Sequence, residues 1–156
     1  MERRTLPGLA LALVLVGTAT LPAAGKKEKA IKKDLGKMKG TWTVASLVMN
    51  GEKLPEEELK KLKILIGADG SMTVQRDGTT IIKTSCKIDP TAKPKAIDVT
   101  FTQGDLKGQT ALGIYEIAVD TIKYCRGGPG KDRPEEFSSK EGSGIIFAIY
   151  KRETTD

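Results

Sequence analysis

The side chains best suited to hold a ligand in this chain are Arg76, Tyr115 and Glu116. A guanidinium offers a planar fork of donors that fits a carboxylate or phosphate, and a phenol can add one more hydrogen bond. On a strand, Met72, Val74 and Arg76 share one face, so Arg76 is expected to approach the enclosed side of a sheet near its rim. The same alternation lets either Tyr115 or Glu116 point inward, but not both. An inward arginine and tyrosine at an apolar mouth would orient the acidic head of an apolar ligand. The plainer alternative is that Arg76 is solvated at the rim and Tyr115 packs in the core.

Other chemistries are excluded or poorly supported. The chain has no histidine, which removes Ser-His-Asp and Cys-His nucleophile systems, a His general base and His-ligated zinc. Cys86 and Cys125 lie far apart and lack the close pairing of a zinc or redox motif. Cys86 shares parity with Ile82 and Ile88 and is expected to face inward, whereas Cys125 shares parity with Lys123 and is expected to face outward. A disulfide needs Cα atoms within about 7 Å and converging Cβ vectors, so none is expected between them. Gly127-Gly128-Pro129-Gly130-Lys131 lacks the Ser or Thr and the βα setting of a phosphate loop. Ser138-Ser139-Lys140 stands in a loop with no supporting motif. Glu56, Glu57 and Glu58 are adjacent on a helix, point in different directions and suit a solvated face. No cofactor and no metal is expected, and the domain reads as non-enzymatic.

The chain has 156 residues, enough for one domain, with a formal net charge of +6 and a low aromatic content of 4%, so its core must be aliphatic. Residues 1–25 have the layout of a secretory signal peptide: Arg3 and Arg4, an apolar run from Leu9 to Val16, then small residues around Pro22. That run is too short for a permanent membrane span. The expectation is export to the periplasm or the extracellular space. Residues 26–39 form a lysine-rich helix or tail in which Ile31, Leu35 and Met38 line one helical face. Its lysines are a solvated outer face or an attachment to an anionic envelope surface, and the missing interleaved aromatics disfavour nucleic acid.

Residues 40–152 read as strands separated by strong turns. Asn50-Gly51, Asp69-Gly70 and Asp77-Gly78 favour positive φ at hairpin positions. A helix is expected over Leu54–Leu62, with Pro55 in its first turn and acids at its positive end. Strands follow at Lys63–Gly67, Ser71–Arg76, Thr79–Ile88, Ala96–Thr102, Thr110–Ala118, Thr121–Cys125 and Ile145–Lys151, with a long loop at Gly127–Gly144. With Thr41–Met49, this predicts about eight antiparallel strands in an all-β, up-and-down barrel with short helices at the N-terminus and after the first strand.

Gly40-Thr41-Trp42 at the start of the first strand resembles the opening signature of lipocalin-type barrels. The resemblance implies that the glycine turns the chain, the Trp42 indole plugs one end, and Arg152 of the last strand lies over it. Over nearly all of residues 26–156 the chain also resembles small secreted domains expanded in planctomycete bacteria. The matching pieces are Leu54-Pro55-Glu56-Glu57-Glu58-Leu59, Lys93-Pro94-Lys95-Ala96-Ile97-Asp98, Gly113-Ile114-Tyr115-Glu116 and Gly130-Lys131-Asp132-Arg133-Pro134. That resemblance implies a lipocalin-like domain without an established activity. The reading is an exported barrel that binds a small apolar or amphipathic ligand or an envelope surface. The alternatives are an interaction module with a filled core and an enzyme using carboxylates alone, for which no carboxylate pair emerges. Secreted protein is expected to begin between Thr20 and Lys26; N-terminal sequencing that returned Met1 would exclude cleavage.

Overall fold

The computed structural model describes residues 22–154. The expected leader lies outside them as far as Leu21. Helix α1 spans Pro22–Met38, starting before the expected boundary at residue 26. It is followed by β1 (Gly40–Met49), β2 (Glu52–Lys53), α2 (Glu56–Leu59), β3 (Leu62–Ile66), β4 (Ser71–Arg76) and β5 (Thr79–Asp89). The remaining strands are β6 (Lys95–Phe101), β7 (Thr110–Ile117), β8 (Thr121–Arg126) and β9 (Ile146–Arg152).

Strands β1 and β3 to β9 form an antiparallel meander that closes when β1 pairs with β9, giving an eight-stranded barrel with the short β2 outside it. Strand β1, ten residues long, pairs with β3 along one edge and with β9 along the other. Its first half, Gly40–Thr43, pairs with Ile66–Lys63 of β3. Along its other side it pairs with Arg152–Ile146 of β9, with a bulge between Val44 and Ser46. The turns follow local chemistry. Asn50 (φ 52°) with Gly51 (φ 85°), and Asp77 (φ 49°) with Gly78 (φ 79°), are positive-φ pairs of the kind that matches strand twist. The α2 helix ends at Leu59, earlier than the expected Leu62. Leu62 instead pairs with Arg76, and the Lys61 carbonyl accepts from the Asp77 N–H, so the sheet takes these residues.

Trp42 is 0% exposed at the end of the barrel covered by α1. Its Nε1 donates to the Met38 carbonyl at 2.8 Å, which fixes the last turn of the helix. The Arg152 guanidinium lies 4.2 Å from the centroid of the Trp42 ring. Arg152 also donates to the Lys37 and Lys39 carbonyls at 2.6 and 3.0 Å. Gly40 is required here: its φ is 137°, and a Cβ would stand 2.9 Å from Arg152 Nη1. The core joins this plug to Ile64, Met72, Ile88, Ile97, Val99 and Ile122 and on to Tyr124 and Tyr150, so side chains pack the interior.

Helix α1 is fastened by charge as well as by Ile31, Leu35 and Met38. Asp34 is 5% exposed and accepts from Lys95 Nζ at 2.7 Å and Tyr115 Oη at 2.9 Å. Lys27 pairs with Asp89 at 2.7 Å. Trp42→Ala is expected to cost about 3–5 kcal/mol, because it opens a cavity at the barrel end and removes an anchor of the helix. Arg152→Ala should cost less, with the cation–π contact contributing about 0.5–2 kcal/mol. Chemical denaturation followed by far-UV circular dichroism measures both; a Trp42→Ala protein as stable as wild type would mean that the indole plugs nothing.

Candidate anion-binding site at the barrel mouth

The three residues selected from sequence do not form one site. Tyr115 faces inward, 1% exposed, at the helix-covered end, where its hydroxyl is committed to Asp34. Burial first, then the Asp34 carboxylate, holds its pKa far above the ordinary phenol value. Glu116 faces outward and pairs with Lys123 at 3.1 Å. Arg76 stands at the opposite end of the barrel, opposite Leu62 and Thr79. It does not line the interior. At the terminus of β4 its guanidinium swings outward to an ion pair with Glu58 of α2 and is exposed. The structure therefore corrects the expected Arg76–Tyr115 pairing: register separates the two by the length of the barrel.

The chemistry expected of that pair is met by two other residues. Ile122, Tyr124 and Arg126 alternate along β8, and Ile122 and Tyr124 belong to the buried core. This parity carries Arg126 inward at the end of the barrel away from α1. The strand neighbours leave room for both side chains. Arg126 is registered against Gly113 and Tyr124 against Ala148. A Cβ on Gly113 would stand 2.9 Å from the Arg126 Cβ and 2.6 Å from the Cys125 carbonyl oxygen. The guanidinium lies 5.4 Å from the Phe101 ring centroid, and Nη1 donates to the Gly127 carbonyl at 3.0 Å. Among the described residues, no carboxylate pairs with Arg126.

Tyr124 is 4% exposed and stacks on Tyr150, with ring centroids 6.0 Å apart and planes at 26°. Its hydroxyl has no hydrogen-bond partner among the described residues. An unmade hydrogen bond on a fully buried hydroxyl costs about 1–3 kcal/mol. Burial pushes the Tyr124 phenol well above its ordinary pKa, opposed in part by the Arg126 charge and by the hydrogen-bonding approach of that guanidinium. The guanidinium approaches the phenol oxygen but makes no well-aligned hydrogen bond to it. Burial likewise raises Tyr150, again opposed by Arg126. Cys86 is pushed up to about 11 by burial, opposed by its contact with Thr84 and by the Arg126 charge. Side chains of four strands therefore gather about one guanidinium: Cys86 of β5, Phe101 of β6, Tyr124 of β8 and Tyr150 of β9.

Cys125 lies on the outer face of β8, as its parity with Lys123 requires, yet it is buried. The loop after β8 covers it: Sγ lies 3.5 Å from the Glu136 carbonyl oxygen and 3.6 Å from that of Ser138. Arg133 ties this loop down by donating to the Ile97 and Gly113 carbonyls and to Asp98. Ser139 donates to the Ile145 carbonyl and Lys140 pairs with Glu136, so the Ser-Ser-Lys run is used in holding the loop. Both cysteines are free thiols. A cleft of about 590 Å³ also opens beside β1 and α2, lined by Val44, Leu54, Pro55 and Leu59 with Lys60 and Lys63 at its rim. Lys60 is paired with Glu56 and Glu57 and Lys63 with Glu153, while Lys53, also on the lining, makes no ion pair among the described residues.

Compared with protein-family models, curated proteins and solved structures, the chain gives no significant match. Among the described residues no cluster of metal-ligating side chains occurs, and no helix is long and apolar enough to cross a membrane.

The raised thiol and phenols fix the sign of the alkaline response. A group that binds its proton more tightly when folded stabilises the fold below its unfolded pKa, and that stability is lost as pH rises. For Cys86 the window runs from 9.0, its ordinary value, to about 11. At about 1.36 kcal/mol per unit, ionisation of the unfolded thiol would remove at most ~3 kcal/mol across it. The melting temperature should therefore fall between pH 9 and 11, and Cys86→Ala should delay the onset toward the range where the tyrosines take over. A flat profile would contradict the burial of this cluster.

Proposed function

We propose that the protein is an exported, non-catalytic binding domain that takes a small molecule bearing a carboxylate or phosphate at the end of its barrel away from α1. The observation that carries this reading is the buried Tyr124 hydroxyl, which makes no well-aligned hydrogen bond, beside an Arg126 guanidinium that has no acidic partner among the described residues. A buried donor left unsatisfied and a cation left uncompensated each cost stability, and one oxyanion between them would relieve both. Charge-assisted hydrogen bonds from a guanidinium and a phenol are suited to it. The absence of histidine from the sequence supports binding over catalysis by a His base or a His-activated nucleophile. The packed interior favours a second reading, a module that acts through its outer surface with a dry core. That core also bears on the ligand: the anchor is the oxyanion, and any apolar portion must lie toward Phe101 and the rim.

Titration with octanoate and with inorganic phosphate, followed by amide chemical shifts, tests the proposal. The expected result is saturable perturbation of β8 and β6 by at least one probe. Arg126→Gln should abolish it. Tyr124→Phe should weaken it about tenfold or more, as expected for loss of a hydrogen bond to a charged group, while melting no lower than wild type because an unsatisfied buried hydroxyl has gone. If neither probe binds and Tyr124→Phe is merely more stable, the dry-core module is the better description. Native mass spectrometry of protein from its own host then identifies any retained molecule.

A further inference from the structure

We infer that the outer face of α1 is a docking surface for an anionic lipid bilayer, independent of the barrel mouth. Lys26, Lys29, Lys33 and Lys37 recur at three- and four-residue spacing, so they form one row on the helix. At 1.5 Å per residue the row is roughly 16 Å long. All four are exposed, and among the described residues none makes an ion pair. The charges on the barrel side of the same helix are compensated: Asp34 by Lys95 and Lys27 by Asp89. The basic excess is therefore concentrated outward.

The row is rigid. The Trp42 indole, Arg152, Tyr115 and Lys95 all fasten α1 to the barrel, so these lysines are held in place where a disordered basic tail would let them scatter. Gly36 lies on the same outer arc, and a Cβ there would meet nothing within 4 Å. Glycine weakens a helix interior, and no packing demand accounts for it here. It does leave the backbone low between Lys33 and Lys37, which allows a surface to approach closely. A flat surface touches a cylinder along a line, which is the shape of this row. The apolar side chains Ile31, Leu35 and Met38 are committed to the barrel, so attachment is electrostatic and without insertion.

The test uses the chain from Pro22 onward, which contains every described contact, sedimented with vesicles of phosphatidylglycerol and phosphatidylcholine or of phosphatidylcholine alone. Each lysine near an anionic surface contributes about fivefold to partitioning. Lys29→Gln with Lys33→Gln should therefore lower binding to the anionic vesicles about 25-fold. Lys83→Gln with Lys107→Gln, which removes the same net charge elsewhere, should change it little. Binding should vanish in about 1 M salt, where screening acts within about 3 Å. The inference is overturned if wild type ignores the anionic vesicles, if the control pair weakens binding as much as the α1 pair, or if soluble dextran sulfate competes so well that a polymer is the better partner.

Discussion

Closure of the barrel rests on Trp42 held between the end of α1 and the guanidinium of Arg152. A meander of eight strands leaves two edges until its first and last members pair. Here β1 and β9 pair over seven registered positions, and the residues at the α1 end of that seam are Trp42 and Arg152. The indole hydrogen bond and the two Arg152 bonds to Lys37 and Lys39 tie the helix to the same point. Sheet closure, core plug and helix docking are therefore one structural event. Gly40 makes it possible by yielding the space that the guanidinium occupies.

The two ends of the barrel treat polar groups differently. At the helix-covered end, buried Asp34 receives both an ammonium and a phenol, so its charge is compensated and hydrogen-bonded. A buried network satisfied in this way specifies a single docking geometry for α1. At the other end Tyr124 makes no well-aligned hydrogen bond, and Arg126 has a carbonyl acceptor but no carboxylate among the described residues. Where every level of a sequence agrees with the fold except at one place, that place is the first candidate for function. Arg126 stands between Gly113 of β7 and Ile146 of β9, and Tyr124 between Tyr115 of β7 and Ala148 of β9.

Much of this architecture is legible in the sequence because its turns are chemically explicit. Asn50-Gly51 and Asp77-Gly78 hold positive φ, and the strands on either side follow to within a residue or two. The short helix α2 was harder. Leu54–Leu62 has helical periodicity, but ladder pairing with β4 claims Leu62, and only the tertiary structure supplies that competitor. Arg76 was misplaced because parity fixes a side chain only inside a sheet; at a strand end a long side chain follows its ion pair. Alternation from Ile122 and Tyr124 points Arg126 inward, but the glycine-rich segment that follows it carries the signature of a loop. Burial of Cys125 had no local signal at all, because its cover comes from Glu136 and Ser138.

That cover gives the barrel wall an uneven thickness. Over β7 and β8, Ile114 and Cys125 are buried on the outer face beneath the loop, and Phe137 packs against Phe147 at 6.2 Å. On this side the sheet is apolar on both faces, as in a sandwich, whereas Ile81 and Lys83 of β5 meet solvent directly. The loop is thus an architectural layer, and lengthening it would disturb the wall. The hairpin tips have no such duty: Val119 is 85% exposed, and nothing lies within 4 Å of where a Gly78 Cβ would be. New sequence, whether acquired by evolution or grafted as a reporter, would be accommodated at those tips and resisted by the longer, outwardly more permissive loop.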